Sequence, residues 1–266
     1  MIDPLKDMPE VLYKYRDFNN EYHKRLLFNH ELFFSSASQF NDPFDATLPF
    51  KYDEQELTPE NIFKKYYSIL RKKHPELRDK EIHKLAYEEQ RKGHISDDRQ
   101  QERFEENITK QIHETIGIVS LTTTPENILM WSHYSNSHTG FCIGLDAKFI
   151  FKKFEPNLSL QQIIYDSEIP RIGLFDSPTT YFTKILSTKS KLWGYEKEYR
   201  FIYRSFVNQT LDITAQAVKE VHLGAKMDQR TKFDLIQKII DAFPNMKIFD
   251  CSISKSDFKV DSKRVA

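Results

Sequence analysis

The sequence is poor in cysteine and glycine. It contains two cysteines, Cys142 and Cys251, so a disulfide framework cannot be the basis of its stability, and the low number fits a reducing compartment. The seven glycines form neither Gly-x-Gly-x-x-Gly nor Gly-Lys-Ser/Thr. Their arrangement argues against a cofactor bound in the Rossmann manner and against a P-loop nucleotide hydrolase. The sequence also lacks the Gly-x-Ser-x-Gly nucleophile elbow.

The chain also lacks a net charge and long apolar runs. Lys plus Arg and Asp plus Glu number 39 each, so no overall field attracts nucleic acid or an anionic membrane. No apolar span reaches membrane length, and the first residues show no basic segment followed by an apolar run. We therefore expect a cytoplasmic protein without a membrane partner. A hydrophobic content of 39% with 14% aromatic residues predicts a folded globule.

Strand patterns occur early and late in the sequence, with helical patterns between them. This order predicts an α+β fold, a single domain over 1–266 with a mixed or split, mainly antiparallel sheet. Residues 53–115 are dominated by charge and show apolar residues at helical spacing, which predicts a helical insertion or lid of about three helices. Residues 255–266 resemble a polar tail.

Two carboxylates, Glu196 and Glu198, occur where a polar helix is expected to give way to a buried strand. From Glu198 the sequence Glu-Tyr-Arg-Phe-Ile-Tyr-Arg alternates with the period of a strand. Two neighbouring carboxylates repel each other, so one of them is expected to have a raised pKa or a cationic partner, and both conditions are common in catalytic sites. An ion pair with Arg200 at a strand edge explains the same pattern, and the residue types leave these alternatives level.

Three further clusters contain polar or aromatic residues at the ends of predicted elements. Arg16 ends an early strand and suits a phosphate or carboxylate. Ser35 and Ser36 end the next strand, before the turn Asn41-Asp-Pro-Phe-Asp45. The segment from Trp131 to Gly140 surrounds a helix-to-strand turn.

Two histidines of this last segment and a cysteine that follows it are of types that bind zinc, namely His133, His138 and Cys142. No fourth ligand occurs at a recognised spacing. We therefore predict no metal site.

Taken together, the clusters resemble a bacterial and phage family catalogued as domain of unknown function 2971. The segments that carry this resemblance are Leu12-Tyr-Lys-Tyr-Arg16, Leu32-Phe-Phe-Ser-Ser36, Phe40-Asn-Asp-Pro-Phe-Asp45, Trp131-Ser-His-Tyr134, His138-Thr-Gly140 and Trp193-Gly-Tyr-Glu-Lys-Glu-Tyr-Arg200. They span most of the chain, and 53–115 is the part least covered. The order of the clusters is more distantly similar to that of ADP-ribosyltransferases.

This more distant likeness implies an NAD-dependent transferase, in a toxin or phage-defence context. Glu198 would stabilise the positive charge that develops on the ribose as nicotinamide leaves, and Glu196 would orient or deprotonate the acceptor, a protein or nucleic acid. Arg16 would hold the pyrophosphate. The remaining binding roles would fall to Ser35 or Ser36, and to Tyr13, Trp193 and His138.

Two alternatives stay open. A metal-dependent nuclease would use Asp42, Asp45, Glu196 and Glu198 as hard oxygen ligands, with a lysine such as Lys191 or Lys197 assisting. A non-enzymatic protein would use the same clusters to bind a nucleotide or a peptide, or only to stabilise the fold.

Overall fold

The computed structural model describes residues 8–266, and its largest feature is a mixed, mostly antiparallel sheet of eight strands. The strands, in chain order, are β1 (Val11–Arg16), β2 (Glu31–Phe34), β3 (Ile116–Thr122), β4 (Phe141–Asp146), β5 (Leu158–Gln162), β6 (Ile164–Asp166), β7 (Thr188–Ser190), β8 (Glu198–Arg204), β9 (Gln209–Asp212), β10 (Val218–Leu223), β11 (Lys247–Ile253) and β12 (Val260–Arg264). The large sheet has the order β12-β11-β10-β4-β1-β3-β8-β5, and two small sheets pair β2 with β9 and β6 with β7.

The helices begin at residues whose side chains cap them. Asn20, Thr58, Ser177 and Asp228 each accept a backbone hydrogen bond from the first turn of the helix that follows. The helices are α1 (Glu21–Phe28), α2 (Pro59–Lys73), α3 (Asp79–Arg91), α4 (Asp98–Thr115), α5 (Ile128–Tyr134), α6 (Ala147–Phe154), α7 (Pro178–Ser187) and α8 (Gln229–Ala242).

Both faces of the large sheet are packed around β1. On one face Leu12 joins the main apolar cluster, with Ile143 and Leu145 of the neighbouring strand. On the other face Tyr15 packs in a second cluster that includes Trp131. Since side chains alternate along a strand, odd-numbered and even-numbered residues of β1 face opposite sides of the sheet.

The described chain divides into two compact units. The first takes in 8–39, 115–163 and 192–266, and it contains the large sheet with β2 and β9. The second takes in 40–114 and 164–191, and it contains α2, α3 and α7 with the small sheet of β6 and β7.

The α+β class and the mixed, mainly antiparallel sheet are confirmed. The predicted bounds of β1 agree with the structure, and α2, α3 and α4 occupy the stretch predicted as a helical insertion. One difference lies in the predicted polar tail 255–266, where Val260–Arg264 forms the edge strand β12. Val260 is fully buried there, and the backbone pairing with β11 does not require apolar side chains.

Candidate anion-binding pocket

A pocket of about 590 Å³ lies between the end of β1, helix α1 and strand β2. Its residues are Lys14, Arg16, Tyr22, His23, Arg25, Leu26, Glu31, Phe33, Ser35, Gln39 and Thr210. Strand β1 pairs with β3 only at Tyr13 and Thr122, whereas Ser35 bridges to Ile118 further along β3. The sheet opens between these two pairings, and this opening makes room for the pocket.

Arg16 is the central cation of the pocket. Its guanidinium makes no hydrogen bond or ion pair with any residue in 8–266. Burial is the cause that lowers its pKa, to about 10. A cation that loses solvation without gaining a partner is unfavourable in the folded protein. Such a group is expected where an anionic ligand supplies the missing partner, because arginine donates to phosphate and carboxylate in a bidentate geometry.

His23 contributes a neutral donor rather than a second charge. Its Nδ1 accepts a hydrogen bond from the backbone N–H of Asp17 at 3.2 Å, so the proton of the neutral ring is assigned to Nε2. Burial, together with the nearby charge of Arg16, lowers the pKa of His23 to about 4. The imidazole is therefore neutral near pH 7 and has an N–H available on Nε2.

The other charged residues of the pocket have partners within it or at its edge. Lys14 Nζ donates to the Ser120 carbonyl at 2.6 Å. Arg25 Nη2 lies 2.5 Å from Glu31 Oε2, and the arginine side chain is about half exposed. With three cationic side chains and one carboxylate, the pocket is basic within a chain of zero net charge.

The two serines that the sequence left as alternatives are separated by the structure. Ser35 lines the pocket, and its hydroxyl donates weakly to the Ile118 carbonyl at 3.2 Å. Ser36 is buried, and its hydroxyl lies 2.9 Å from that of Ser38. Ser35 and Arg16 are therefore the two predicted binding residues that the structure brings into one pocket.

Glu198 lies on the opposite face of the sheet from Arg16. Tyr13 is paired with Thr122, and Thr122 with Glu198, so these three side chains share a face. Arg16 is three residues beyond Tyr13 on a regularly paired strand and faces the other way. Glu198 is buried and accepts from Arg200 at 2.7 and 3.1 Å, which is the ion pair considered as the alternative to catalysis.

Glu196 does not share a strand face with Glu198. It ends the 3-10 helix Lys191–Glu196, and Lys197, the single residue between this helix and β8, has a left-handed φ of 44°. The Tyr134 hydroxyl donates to Glu196 Oε1 at 2.6 Å, and the carboxylate is buried. Trp193 is half-buried in the same 3-10 helix, with its ring 6.0 Å from that of Tyr195.

Tyr13 takes part in a hydrogen-bonded group on the face opposite Arg16. Its hydroxyl donates to Glu220 Oε1 at 2.8 Å, and the same oxygen lies 3.2 Å from His222 Nε2. The hydrogen bond from His222 is the largest cause of the lowered pKa of Glu220. The other ring nitrogen of His222 lies 3.1 Å from the Ser262 hydroxyl. Tyr13 is therefore held away from the pocket.

His138 lies in a strained turn that supports the pocket indirectly. Asn136, Ser137 and His138 all have positive φ, and His138 Nε2 lies 3.0 Å from the Ser132 hydroxyl. The turn ends at Gly140, where a Cβ would lie 2.1 Å from the Arg16 carbonyl. This close approach explains why the turn ends in glycine and places it against the backbone of Arg16.

The residues of the nuclease alternative are divided between the two units. Asp42 and Asp45 belong to the second unit, where Asp42 accepts from the Phe44 N–H at 2.9 Å and Asp45 pairs with Lys189 at 3.2 Å. Glu196 and Glu198 belong to the first unit. In 8–266, no group of three or more His, Cys, Asp or Glu side chains is arranged to hold a metal.

Sequence reasoning missed four pocket residues with basic or acidic side chains, namely Lys14, His23, Arg25 and Glu31. The alternation of side chains along a strand could have indicated Lys14 and Glu31. Lys14 lies on the same strand face as Arg16, and Glu31 on the same face as Ser35. His23 and Arg25 lie on α1, and no sequence pattern indicates that this helix covers the end of β1.

These features define an α+β protein with a basic pocket at the point where its sheet opens. Residues 130–201 match the family model described as Protein of unknown function (DUF2971), which supports the family resemblance. The matched segment includes the Trp131–Gly140 and Trp193–Arg200 motifs, and the pocket residues lie outside it. No curated protein and no solved structure matches the chain. Within 8–266, no helix has the length and apolar character needed to cross a bilayer.

Proposed function

We propose that the protein binds a phosphate-bearing nucleotide in the pocket at the end of β1, and that NAD is the first candidate. The observation that supports this proposal best is the guanidinium of Arg16, which faces a cavity of about 590 Å³ without a partner in 8–266. The cavity falls within the volume range of small-molecule sites. Lys14 and the Nε2–H of His23 add a charge and a donor to the same cavity.

The catalytic part of the likeness to ADP-ribosyltransferases is a separate hypothesis. In that likeness, a carboxylate close to the ribose stabilises the positive charge that develops as the ribose–nicotinamide bond breaks. The sheet face and ion pairing of Glu198 favour a structural role, so binding in the pocket does not depend on it. We therefore propose nucleotide binding alone, and cleavage of NAD is to be measured as a separate activity.

Calorimetric titration of the full chain with NAD, ADP and inorganic pyrophosphate tests the proposal. Arg16→Met should weaken binding of all three by about 10- to 100-fold, the effect of losing a charge-assisted hydrogen bond. The exposed Arg230 on α8 offers a matched control, and Arg230→Met should bind as the parent does.

The same variant has a second readout. Because Arg16 is desolvated and unpaired in the described chain, Arg16→Met should raise the melting temperature while it weakens binding. A residue that only stabilises the fold would show the opposite change in melting temperature. Equal affinity of Arg16→Met and the parent for all three ligands would overturn the proposal.

A further inference from the structure

Strand β2 and the residue that follows it present three pocket residues on one face. Glu31, Phe33 and Ser35 line the cavity, whereas Leu32 and Phe34 between them are fully buried in the main apolar cluster. Successive residues on one face of a strand are about 7 Å apart. The pocket wall therefore runs in order from a carboxylate through an aromatic ring to a hydroxyl.

Phe33 leaves an aromatic surface open to the cavity. Its side chain is 41% exposed although its neighbours on both sides are buried, and Thr210 lies beside it on β9. Tyr22 adds a second exposed ring from α1. A planar ligand ring can stack on such side chains, and the free energy gained does not depend on which hydrogen-bond donors and acceptors the ring carries.

Glu31 has unused capacity to accept hydrogen bonds. No residue in 8–266 donates a hydrogen bond to its carboxylate, and Oε2 is buried. The contact with Arg25 at 2.5 Å is an ion pair without hydrogen-bond alignment. An ionised carboxylate accepts only, so a ligand group next to Glu31 must offer N–H or O–H donors.

We infer that the pocket takes a ribonucleotide whose planar ring lies on Phe33 and directs an N–H donor to Glu31, with its phosphate on Arg16 and Ser35. A nucleoside 5′-phosphate separates its ring from its phosphate by one sugar, a length comparable to the step between Phe33 and Ser35. An edge of the ring that carries an amide or amino group then points along the strand toward Glu31. This inference rests on the proposed function and adds the recognition of the ring.

The inference distinguishes ligands that share one phosphate. Nicotinamide mononucleotide carries a carboxamide, nicotinate mononucleotide carries a carboxylate in the same place, and ribose 5-phosphate carries no ring. We expect the amide to bind about tenfold more tightly than the acid, because a carboxylate has no N–H to donate to Glu31. We expect ribose 5-phosphate to bind about tenfold more weakly than the amide, because it has no ring to stack on Phe33.

Two variants assign these preferences to the residues. Phe33→Leu should remove the advantage of nicotinamide mononucleotide over ribose 5-phosphate, and Phe258→Leu, at a fully exposed site in the turn between β11 and β12, should leave it unchanged. Glu31→Gln should remove the preference for the amide over the acid, because glutamine is neutral and donates as well as accepts.

The outcomes separate this inference from the proposed function. If ribose 5-phosphate binds as tightly as nicotinamide mononucleotide and Arg16→Met weakens both, the phosphate site stands and ring recognition is overturned. If the acid binds as well as the amide in the parent protein, the role of Glu31 is overturned. If none of the three compounds binds at millimolar concentration, both the inference and the proposed nucleotide site fail.

Discussion

Arg16 and Glu198, the two residues to which the likeness to ADP-ribosyltransferases gives the leading binding and catalytic roles, lie on opposite faces of one sheet. The register that runs from Tyr13 through Thr122 to Glu198 establishes this relationship. Arg16 faces a basic pocket, and Glu198 is buried against Arg200. Substitutions of the two residues are therefore expected to have different effects on binding and on stability.

Glu198→Gln should destabilise the protein without weakening nucleotide binding. The substitution removes the charge that compensates Arg200, which is fully buried, and we expect the free energy of unfolding to fall by about 3 kcal/mol. Urea unfolding measures the loss, and titration with NAD measures binding. The double variant Glu198→Gln/Arg200→Met should recover part of the stability. Loss of nicotinamide release from NAD with unchanged stability would instead support the catalytic role.

His23 should make stability depend on pH in the acidic range. Burial lowers its pKa in the folded protein from the ordinary 6.5 to about 4, so between these pH values the unfolded chain binds more protons. Stability is therefore greatest above about pH 6.5 and falls as the pH is lowered toward 4, because the unfolded chain takes up the proton first.

The variant His23→Asn isolates this effect. Its Oδ1 can accept from the Asp17 N–H in place of Nδ1, but the side chain does not titrate. Urea unfolding of both proteins at pH 7 and pH 4.5 should show a smaller loss in the variant. Equal losses in the two proteins would contradict the assignment to His23.

Tyr13→Phe should lower stability and leave ligand binding intact. The variant loses a hydrogen bond to the Glu220 carboxylate, and we expect a loss of about 1.5 kcal/mol in the free energy of unfolding. Because Tyr13 faces away from the pocket, the affinity for NAD should not change. A change in affinity greater than about fivefold would show that Tyr13 contributes to the site after all.

Gly140→Ala should affect both stability and binding. The added Cβ would lie 2.1 Å from the Arg16 carbonyl and 3.0 Å from that of Ser135, so the end of β1 must move. We expect a loss of more than about 2 kcal/mol in the free energy of unfolding and weaker binding of pyrophosphate. Gly93→Ala is the matched control.

At Gly93 nothing lies within 4 Å of the added Cβ, although φ is +69°. We therefore expect Gly93→Ala to cost about 1 kcal/mol through backbone strain and to leave binding unchanged. Thermal unfolding and calorimetry compare the two variants. Similar effects of both substitutions on pyrophosphate binding would show that the contact with Arg16 is unimportant.

Local patterns in the sequence were sufficient for the elements and for part of the pocket. The alternation in Val11–Arg16 predicts β1, and the charged, helically spaced segment 53–115 predicts α2, α3 and α4. Arg16 was predicted as an anion ligand because it ends a strand, and it does line the pocket. Such features depend on residues close in sequence, so period and turn chemistry are sufficient to find them.

Which residues meet in space was decided by strand pairing. Residue types alone left catalysis and an ion pair equally open for Glu198, because its face relative to Arg16 depends on two pairings that join residues far apart in the chain. His23 and Arg25 became pocket residues only when α1 packed beside β1 and β2. The sequence by itself determined the strands, the helices and the cation at the end of β1. The tertiary structure decided which carboxylate shares its pocket, since a side chain's partners follow from long-range register and packing.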